Sequence, residues 1–448
     1  MNSSARKLTD KYIIAMLLLF PLWTGLEGYA DITRWKFTFF AVFTGIWAAL
    51  LIFFAVRERA RPRCPKAFAL LGAAFAVWSA VSALASGFGS RLLLGWHYDG
   101  LLPMLLYLAA ALGVASYGEW RDYYVNLLAV SATLCCAVAL MQLAGLNPLG
   151  LYPEGLDYYD SGVKYSGSFL GTMGNTNVLG SFLCLTCPLF AYTALQRRGR
   201  SLWLLVPAAL SAAVLALSRS EAGLVGVLAA LLLGVVYYVN QLGRRRTALM
   251  LLAAEAAAVC VFLAFVYFSP PEGGTLYELG ELLHGRVRDS FGSSRVAVWR
   301  EALRLFAERP VLGGGPGSFG LRSTLEFSRY VAESGITLTT RADSAHCEAL
   351  EYLVDLGLPG CALYLSLAFF VFRRWMRGAL PAAGTALLAY FVQGLFSSGT
   401  CFVLPIVCIL SGLTAGAGES LRPGDRAVTG IPTTNAEASA AEERKQHG

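Results

Sequence analysis

Twelve long apolar runs dominate the sequence and limit what this chain can fold into. They span residues 12–28, 36–56, 67–85, 101–117, 122–145, 176–195, 202–217, 221–240, 247–268, 357–372, 379–396 and 401–416. A helix needs about 20 mostly apolar residues to cross roughly 30 Å of hydrocarbon, and lipid offers no partner for unpaired backbone groups. The runs therefore predict an all-α, polytopic membrane protein with about 12 transmembrane helices.

Composition supports this class and excludes others. Hydrophobic residues make up 56% of the 448 residues and charged residues only 15%, whereas a soluble domain has about 25% charged residues. Soluble enzymes, disulfide-rich secreted scaffolds and disordered chains do not carry so much apolar surface.

The positive charges are distributed unevenly along the chain. Of the 36 Lys and Arg residues, 22 lie in the two terminal segments and in alternate connections between the runs, for example in 57–66 and 244–246. Because positively charged loops stay on the cytoplasmic side, this bias predicts two cytoplasmic termini. The net charge of +7 then reflects topology and not a nucleic-acid partner. Residues 12–30 are also compatible with a cleaved signal peptide, which would leave the sidedness downstream unchanged.

The runs divide the chain into three regions. Residues 1–416 are predicted to form the membrane domain. Residues 269–356 within it are predicted to form a large, helical, extracytoplasmic loop between the ninth and tenth helices, called the long loop below. Residues 417–448 are rich in Ala, Glu, Thr and Gly, which predicts a disordered cytoplasmic tail.

The first predicted helix of the long loop is amphipathic. Residues 294–309 carry Val298, Leu303 and Phe306 at helical spacing, with charged residues elsewhere, so we expect the helix to lie on the outer leaflet. The glycine run 313–317 follows it. This run lacks the Gly-Lys-Ser/Thr of a nucleotide loop, and it indicates a flexible turn.

A second short helix is predicted to carry His346 and to break at residues 357–360 (Gly-Leu-Pro-Gly), where the membrane span begins. Its acids Glu348, Glu351 and Asp355 are spaced three and four apart, which predicts one acidic face at the water boundary.

His346 is the candidate catalytic base. Histidine is the usual general base near neutral pH, and Asp343 or Glu348 is close enough in sequence to orient its ring. The competing interpretation is a surface histidine with local hydrogen bonds.

Two arginines are candidates for binding an anion. Arg219 lies in a short turn between two apolar runs, where a charge is costly and where a planar guanidinium suits phosphate oxygens. Arg295 lies at the start of the amphipathic helix, where free backbone N–H groups add positive potential. The alternatives are an ion pair between Arg219 and Glu221, and a solvated Arg295.

Asn175 and Asn177 precede the sixth run, where they are suited either to capping the helix or to hydrogen-bonding sugar hydroxyls or phosphate. The outside segments contain no Asp-x-Asp or His-x-x-x-His pattern, so no catalytic metal and no cofactor are predicted. Glu154, Asp157 and Asp160 form at most a weak cation site.

The order of several motifs resembles that of the bacterial O-antigen ligase and O-antigen polymerase superfamily. The motifs are Gly171-Thr172-Met173-Gly174-Asn175-Thr176-Asn177, Ser218-Arg219, Ser294-Arg295-Val296-Ala297-Val298-Trp299, the segment 308–319 with its glycine run, and Ala345-His346-Cys347-Glu348 through Gly360. The resemblance covers about residues 165–415. One departure is Cys347, where the family commonly has Asn.

The resemblance implies an inverting glycosyltransferase that works at the outer face of the cytoplasmic membrane without a metal. The implied donor is an undecaprenyl-diphosphate-linked glycan, and the implied acceptor is a hydroxyl of a lipid, protein or glycan. His346 matches the family's catalytic histidine, and Arg219 and Arg295 match its diphosphate-binding arginines. The resemblance does not separate a ligase from a polymerase that joins lipid-linked repeat units.

Transport of a lipid-linked glycan is the alternative outside the enzyme class, because many secondary transporters have twelve spans. The sequence contains no 6 + 6 internal repeat, and its largest loop does not divide the chain in half. A purely structural role would give no reason for Arg219 at the membrane edge.

Overall fold

A computed structural model of the chain describes residues 4–29, 31–152, 171–269, 272–331 and 336–418. The α-helices are α1 (Ser4–Ile14), α2 (Ile32–Arg57), α3 (Lys66–Ala85), α4 (Arg91–Leu94), α5 (Leu101–Tyr117), α6 (Asp122–Leu143), α7 (Thr176–Arg197), α8 (Leu205–Leu217), α9 (Glu221–Gln241), α10 (Arg245–Phe268), α11 (Gly274–Leu283), α12 (Phe291–Glu308), α13 (Phe319–Arg322), α14 (Glu348–Met376), α15 (Pro381–Gln393) and α16 (Leu404–Gly416). The strands β1 (Glu326–Val331) and β2 (Ile336–Arg341) pair antiparallel.

The molecule is mostly helical, as predicted, and each of the twelve apolar runs overlaps helical structure in at least part of its length. Among the described residues, seven helices are long and apolar enough to cross a membrane, namely α2, α3, α6, α7, α9, α10 and α14. The apolar helices α5 and α16 are shorter, with 17 and 13 residues. Most of the predicted tail and the acids Glu154, Asp157 and Asp160 lie outside the described residues.

Helix α7 forms the centre of the bundle, with 89% of its most apolar window buried. It contacts α8, α9 and α15, and small or apolar residues occupy all sides of it. Helix α10, by contrast, is 6% buried and packs on α9 at the periphery. A helix that is apolar on every side is expected in the interior of a bundle or against lipid, and these two helices represent the two cases.

We predicted a helical long loop, and the structure shows that it is helical only in part. It contains α11, α12 and α13, but also the β1–β2 hairpin. The sequence of β2, Ile-Thr-Leu-Thr-Thr-Arg, is rich in β-branched residues that favour an extended strand.

The predicted amphipathic helix exists as α12, but its buried face differs from the prediction. Val298, expected to face the outer leaflet, is buried against protein together with Ala302 and Leu305, whereas Leu303 is 52% exposed. This face packs on protein: it shares a small apolar core with residues of α13, of the segment that follows β2, and of α14, namely Phe319, Ala342, Ala345 and Val354. The packing therefore attaches α12 to the start of α14 rather than to a lipid surface.

Helix α14 is broken where the sequence predicted. Gly357 has a φ of 66° and a ψ of −174° within it, and Pro359 has no N–H to donate. The N–H of Leu358 leaves the helix and donates to the carbonyl of Pro310, at 2.9 Å. The break therefore frees carbonyl groups that need other donors.

The glycine run and α3 supply those donors. The bonds are Gly314 N–H to Val354 O (3.0 Å), Gly315 N–H to Asp355 O (2.8 Å) and Trp78 Nε1–H to Leu356 O (2.8 Å). At Gly313 the two backbones approach so closely that a Cβ would overlap the carbonyl oxygen of Asp355, which explains the glycine there. The run is a structural connection and not only a flexible turn.

Candidate active site

His346 lies directly before α14 and not on a short helix, which corrects our prediction. Its backbone is left-handed, with a φ of 48°. Its neighbours are fixed, because Ala345 N–H donates to Glu351 Oε2 at 2.5 Å and Glu348 N–H donates to the Gly394 carbonyl at 2.8 Å. The side chain is exposed, and it has no hydrogen-bond partner within the described part of the chain. The backbone on either side of His346 is thus held in place, while its ring is free to meet a ligand.

Asp343 does not contact His346 and pairs with His97 instead. Asp343 Oδ2 lies 2.8 Å from His97 Nε2, and the two side chains are 46% and 48% exposed. The hydrogen bond that His97 donates to the Asp343 carboxylate raises the pKa of His97 above its usual 6.5, although burial opposes the shift. Burial alone would raise the pKa of Asp343, but the hydrogen bond and charge of His97 outweigh it and lower that pKa.

Arg295 begins the regular part of α12. The three residues before it, 292–294, all have left-handed backbones, and this turn aims the Arg295 side chain back along the chain. Its Nε–H donates to the carbonyl of Phe396 at 3.0 Å and its Nη1 donates to that of Gly292 at 2.8 Å. A guanidinium has five N–H donors, so three are left for a ligand. Burial lowers the pKa of Arg295, while the charge of Glu221 opposes that shift.

Arg219 lies in the turn between α8 and α9, with a φ of 53° and an exposed side chain. It makes no side-chain hydrogen bond or ion pair with the residues that the structure describes. The alternative pairing with Glu221 is not formed, since Glu221 accepts a 2.5 Å hydrogen bond from Thr275 Oγ1. The charge of Glu221 acts on Arg295, so the turn and the start of α12 are neighbours.

The charges around His346 favour its neutral form. Loss of surrounding water and the positive charge of Arg295 lower the pKa of His346 below 6.5, and His97 adds to this effect. The charge of Asp343 acts in the opposite direction but does not cancel it. A neutral imidazole can accept a proton, so the surroundings suit His346 to the role of a base near pH 7.

Asn175 and Asn177 behave differently from one another. Asn175 Oδ1 accepts hydrogen bonds from the N–H groups of Asn177 (2.8 Å) and Val178 (3.3 Å), which is the capping interpretation. Asn177 is exposed, and its side chain has no partner in the described regions. Of the two, Asn177 is therefore the one with a free amide.

Glu348 points away from His346. It is 5% exposed and accepts hydrogen bonds from the hydroxyls of Tyr364, at 2.5 Å, and Tyr390. It lines an apolar cavity of about 120 Å³ between α3, α5, α14, α15 and α16. Among the residues that line this cavity, Glu348 alone is charged.

The predicted acidic face of α14 is not at the water boundary. Glu348 and Asp355 are buried, at 5% and 3% exposure, and Glu351 is half-buried. Each carboxylate accepts a hydrogen bond from another part of the protein, namely from the Gly317 N–H, the Ala345 N–H or the Tyr364 hydroxyl. These three acids therefore connect α14 to its surroundings.

Cys347 occupies the position where the resemblance leads one to expect Asn. It is 7% exposed, and its side chain does not cap α14. Burial raises the pKa of the Cys347 thiol, so it stays protonated and is a poor nucleophile. No cluster of three or more His, Cys, Asp or Glu side chains suited to a metal ion is present in the described residues.

His97 is the residue of this site that the sequence analysis missed. It lies 246 positions from Asp343 in the chain, in the connection between α4 and α5. The signal available was that it is one of four histidines and lies in a short connection predicted on the same side as the long loop. Its partner was not predictable from spacing.

Comparison with known proteins supports the motif-based resemblance. Residues 206–365 match the family model described as O-antigen ligase. The match spans Arg219, Arg295, the glycine run and His346, whereas His97 and Asn175 lie outside it. A search of curated proteins finds no significant match.

Proposed function

We propose that this chain, a member of the O-antigen ligase superfamily through its residues 206–365, is an inverting membrane glycosyltransferase. It moves a glycan from an undecaprenyl-diphosphate carrier to an acceptor hydroxyl at the outer face of the bacterial cytoplasmic membrane. The acceptor is a lipid, a protein or another glycan. Its frame has twelve spans with both termini in the cytoplasm, consistent with the distribution of Lys and Arg.

The observation that carries this proposal is an exposed imidazole close to a guanidinium that has unused donors. His346 and Arg219 have no side-chain partner among the described residues, and Arg295, whose charge acts on His346, uses two of its five donors. Transfer from a diphosphate to a hydroxyl needs a base and cations with free N–H donors.

In the proposed reaction, His346 takes the proton of the acceptor hydroxyl. The acceptor oxygen forms a bond to the anomeric carbon of the donor sugar while the bond from that carbon to the diphosphate oxygen breaks. The electron pair leaves with the diphosphate, and in-line attack inverts the configuration of the anomeric carbon. A general base contributes about 10²- to 10⁴-fold to such a step.

Arg295 and Arg219 bind the diphosphate in this scheme. Their planar N–H groups match the geometry of phosphate oxygens and stabilise the negative charge that grows on the leaving group. This is the role that a divalent metal has in many other glycosyl transfers. Arg295 is the better preorganised of the two, because two carbonyl groups already fix its side chain.

The test is reconstitution of the purified protein in lipid with an undecaprenyl-diphosphate-linked glycan and a candidate acceptor. His346→Ala should abolish transfer while donor binding persists. The matched control is His284→Ala, because His284 lies in the long loop and its ring stacks on Tyr267 at 4.2 Å. Full activity of the His346 variant would end the proposed base role.

The products distinguish the two enzymatic alternatives. A ladder of lengthened, lipid-linked chains identifies a polymerase, and a single transferred chain on a new acceptor identifies a ligase. Addition of a chelator should leave turnover unchanged if the arginines replace a metal. Loss of activity with chelator, restored by Mg²⁺ or Mn²⁺, would contradict that part of the proposal.

A further inference from the structure

The connection between α4 and α5 brings His97 to the segment that carries His346. His97 Nε2 lies 2.8 Å from Asp343 Oδ2, and Asp343 precedes His346 by three residues. This hydrogen bond joins the first third of the chain to the end of the long loop. His97 lies outside the matched O-antigen ligase region, residues 206–365, and Asp343 lies within it.

The connection that carries His97 is itself fixed. Tyr98 stacks on Phe37 of α2, with ring centroids 4.4 Å apart, and the N–H of Gly100 donates to the Leu94 carbonyl at 3.0 Å. The glycine run packs against the other side of this connection, where Gly317 lies beside Asp99. A Cβ on Gly317 would lie 2.7 Å from Oδ1 of Asp99, which is closer than Cβ atoms approach other atoms. These contacts therefore hold the connection that places His97 beside Asp343.

We propose that His97 is a positioning residue for His346, which anchors the Asp343–His346 segment through its hydrogen bond and sets the charge beside the imidazole. The proposal rests on the proposed role of His346 as the base. His97 does not need to touch the substrate for this role, since it acts through Asp343.

The groups that face His346 determine the sign of the effect. Arg295 faces it from α12, Asp343 from its own segment, and His97 from the connection between α4 and α5, where Asp99 lies beside it. Asp343 raises the pKa of His97 above 6.5, whereas burial, Arg295 and His97 lower the pKa of His346 below 6.5. His97 is consequently still protonated at the pH where His346 titrates.

Loss of the His97 charge should therefore move the titration of His346 to higher pH, both in His97→Ala and in His97→Gln. Because His97→Gln keeps a donor for Asp343, a shift shared by both variants reports the charge and not only the loss of the anchoring hydrogen bond.

The experiment is ¹³C NMR titration of histidine-labelled protein in lipid nanodiscs. The sequence has four histidines, so the His346 signal is assigned by its loss in His346→Gln. His284→Ala is the matched control and should leave the His346 titration unchanged. His97→Gln, which retains an amide donor for Asp343 but no charge, should shift the titration upwards as His97→Ala does.

Kinetics provide the second readout. His97→Ala should lower kcat roughly tenfold with little change in the KM for the donor, as expected for a residue that orients a reacting group. An unchanged His346 titration in both His97 variants would overturn the proposal. Because the titration needs no turnover, it remains decisive even if His346→Ala retains activity and the proposed function fails.

Discussion

Asp355 Oδ2 accepts a 2.7 Å hydrogen bond from the backbone N–H of Gly317, and this contact connects α14 to the glycine run. Its other carboxylate oxygen accepts two more hydrogen bonds, from the N–H (3.0 Å) and the hydroxyl (2.9 Å) of Ser318. Asp355 lies two residues before the break at Gly357 and is 3% exposed. One buried carboxylate thus connects the glycine run to α14 beside the break.

Asp355→Ala should lower the stability of the protein by about 1–3 kcal/mol or more, because it leaves several buried donors without an acceptor. Asp355→Asn should cost less, since an amide oxygen still accepts hydrogen bonds. The measurement is the thermal unfolding midpoint in detergent. Asp289→Ala is the control, since Asp289 pairs with Arg300 at the surface and is 64% exposed. Equal midpoints for Asp355→Ala and the control would contradict this account.

Gly313→Ala should destabilise the connection between the glycine run and α14. Gly313 has a φ of 69°, and a Cβ there would lie 2.6 Å from the backbone nitrogen of Gly357. The matched variant is Gly285→Ala, where φ is 75° but nothing lies within 4 Å of the added Cβ. We expect Gly285→Ala to show only the cost of a left-handed alanine, about 1 kcal/mol, and Gly313→Ala to unfold at a clearly lower temperature. Similar midpoints for both variants would show that the close approach has no energetic role.

Arg219→Ala should weaken donor binding without a loss of stability. Arg219 has no side-chain partner in the described residues, so its removal leaves no group unpaired. A lost phosphate contact of about 1.4 kcal/mol corresponds to a tenfold rise in the KM for the donor. Arg91→Ala, at another exposed arginine, serves as the comparison. If the two variants have the same donor KM, Arg219 does not bind the diphosphate.

The pH profile of kcat/KM should follow the lowered pKa of His346. A base acts in its neutral form, so activity is present above its pKa and is lost as the pH falls through it. Because this pKa is lowered from 6.5, we expect the midpoint of the acidic limb to lie below pH 6.5. Rates measured with subsaturating donor across the acidic range test this. A decline that begins above pH 7 would contradict the described surroundings of His346.

The helical, membrane-spanning class of the protein was predictable from local patterns. Apolar runs of about 20 residues predict helices without reference to distant partners, because a helix satisfies its own backbone. The break at Gly357 was also predictable, because glycine and proline change the backbone at their own positions. His346, Arg219 and Arg295 are candidates because their motifs occur in an order that resembles a known superfamily.

Contacts between residues that lie far apart in the chain were not predictable from the sequence. The spacing of Glu348, Glu351 and Asp355 predicted one solvent-exposed face of a helix. Their environment depends, however, on what packs against α14, and the tyrosines and the glycine run lie there. The side of α12 that packs on protein was not predictable for the same reason: Val298 is buried there and Leu303 faces outwards.

The sequence by itself determined which segments are helical and which residue types are available for glycosyl transfer, because hydrophobicity and backbone preference are properties of neighbouring residues. Only the tertiary structure decided that Asp343 faces His97, that Glu221 leaves Arg219 free, and that Glu348 turns towards Tyr364. Hydrogen bonds and Coulomb interactions act over a few ångströms in space, and the folded chain brings together residues that lie up to 246 positions apart.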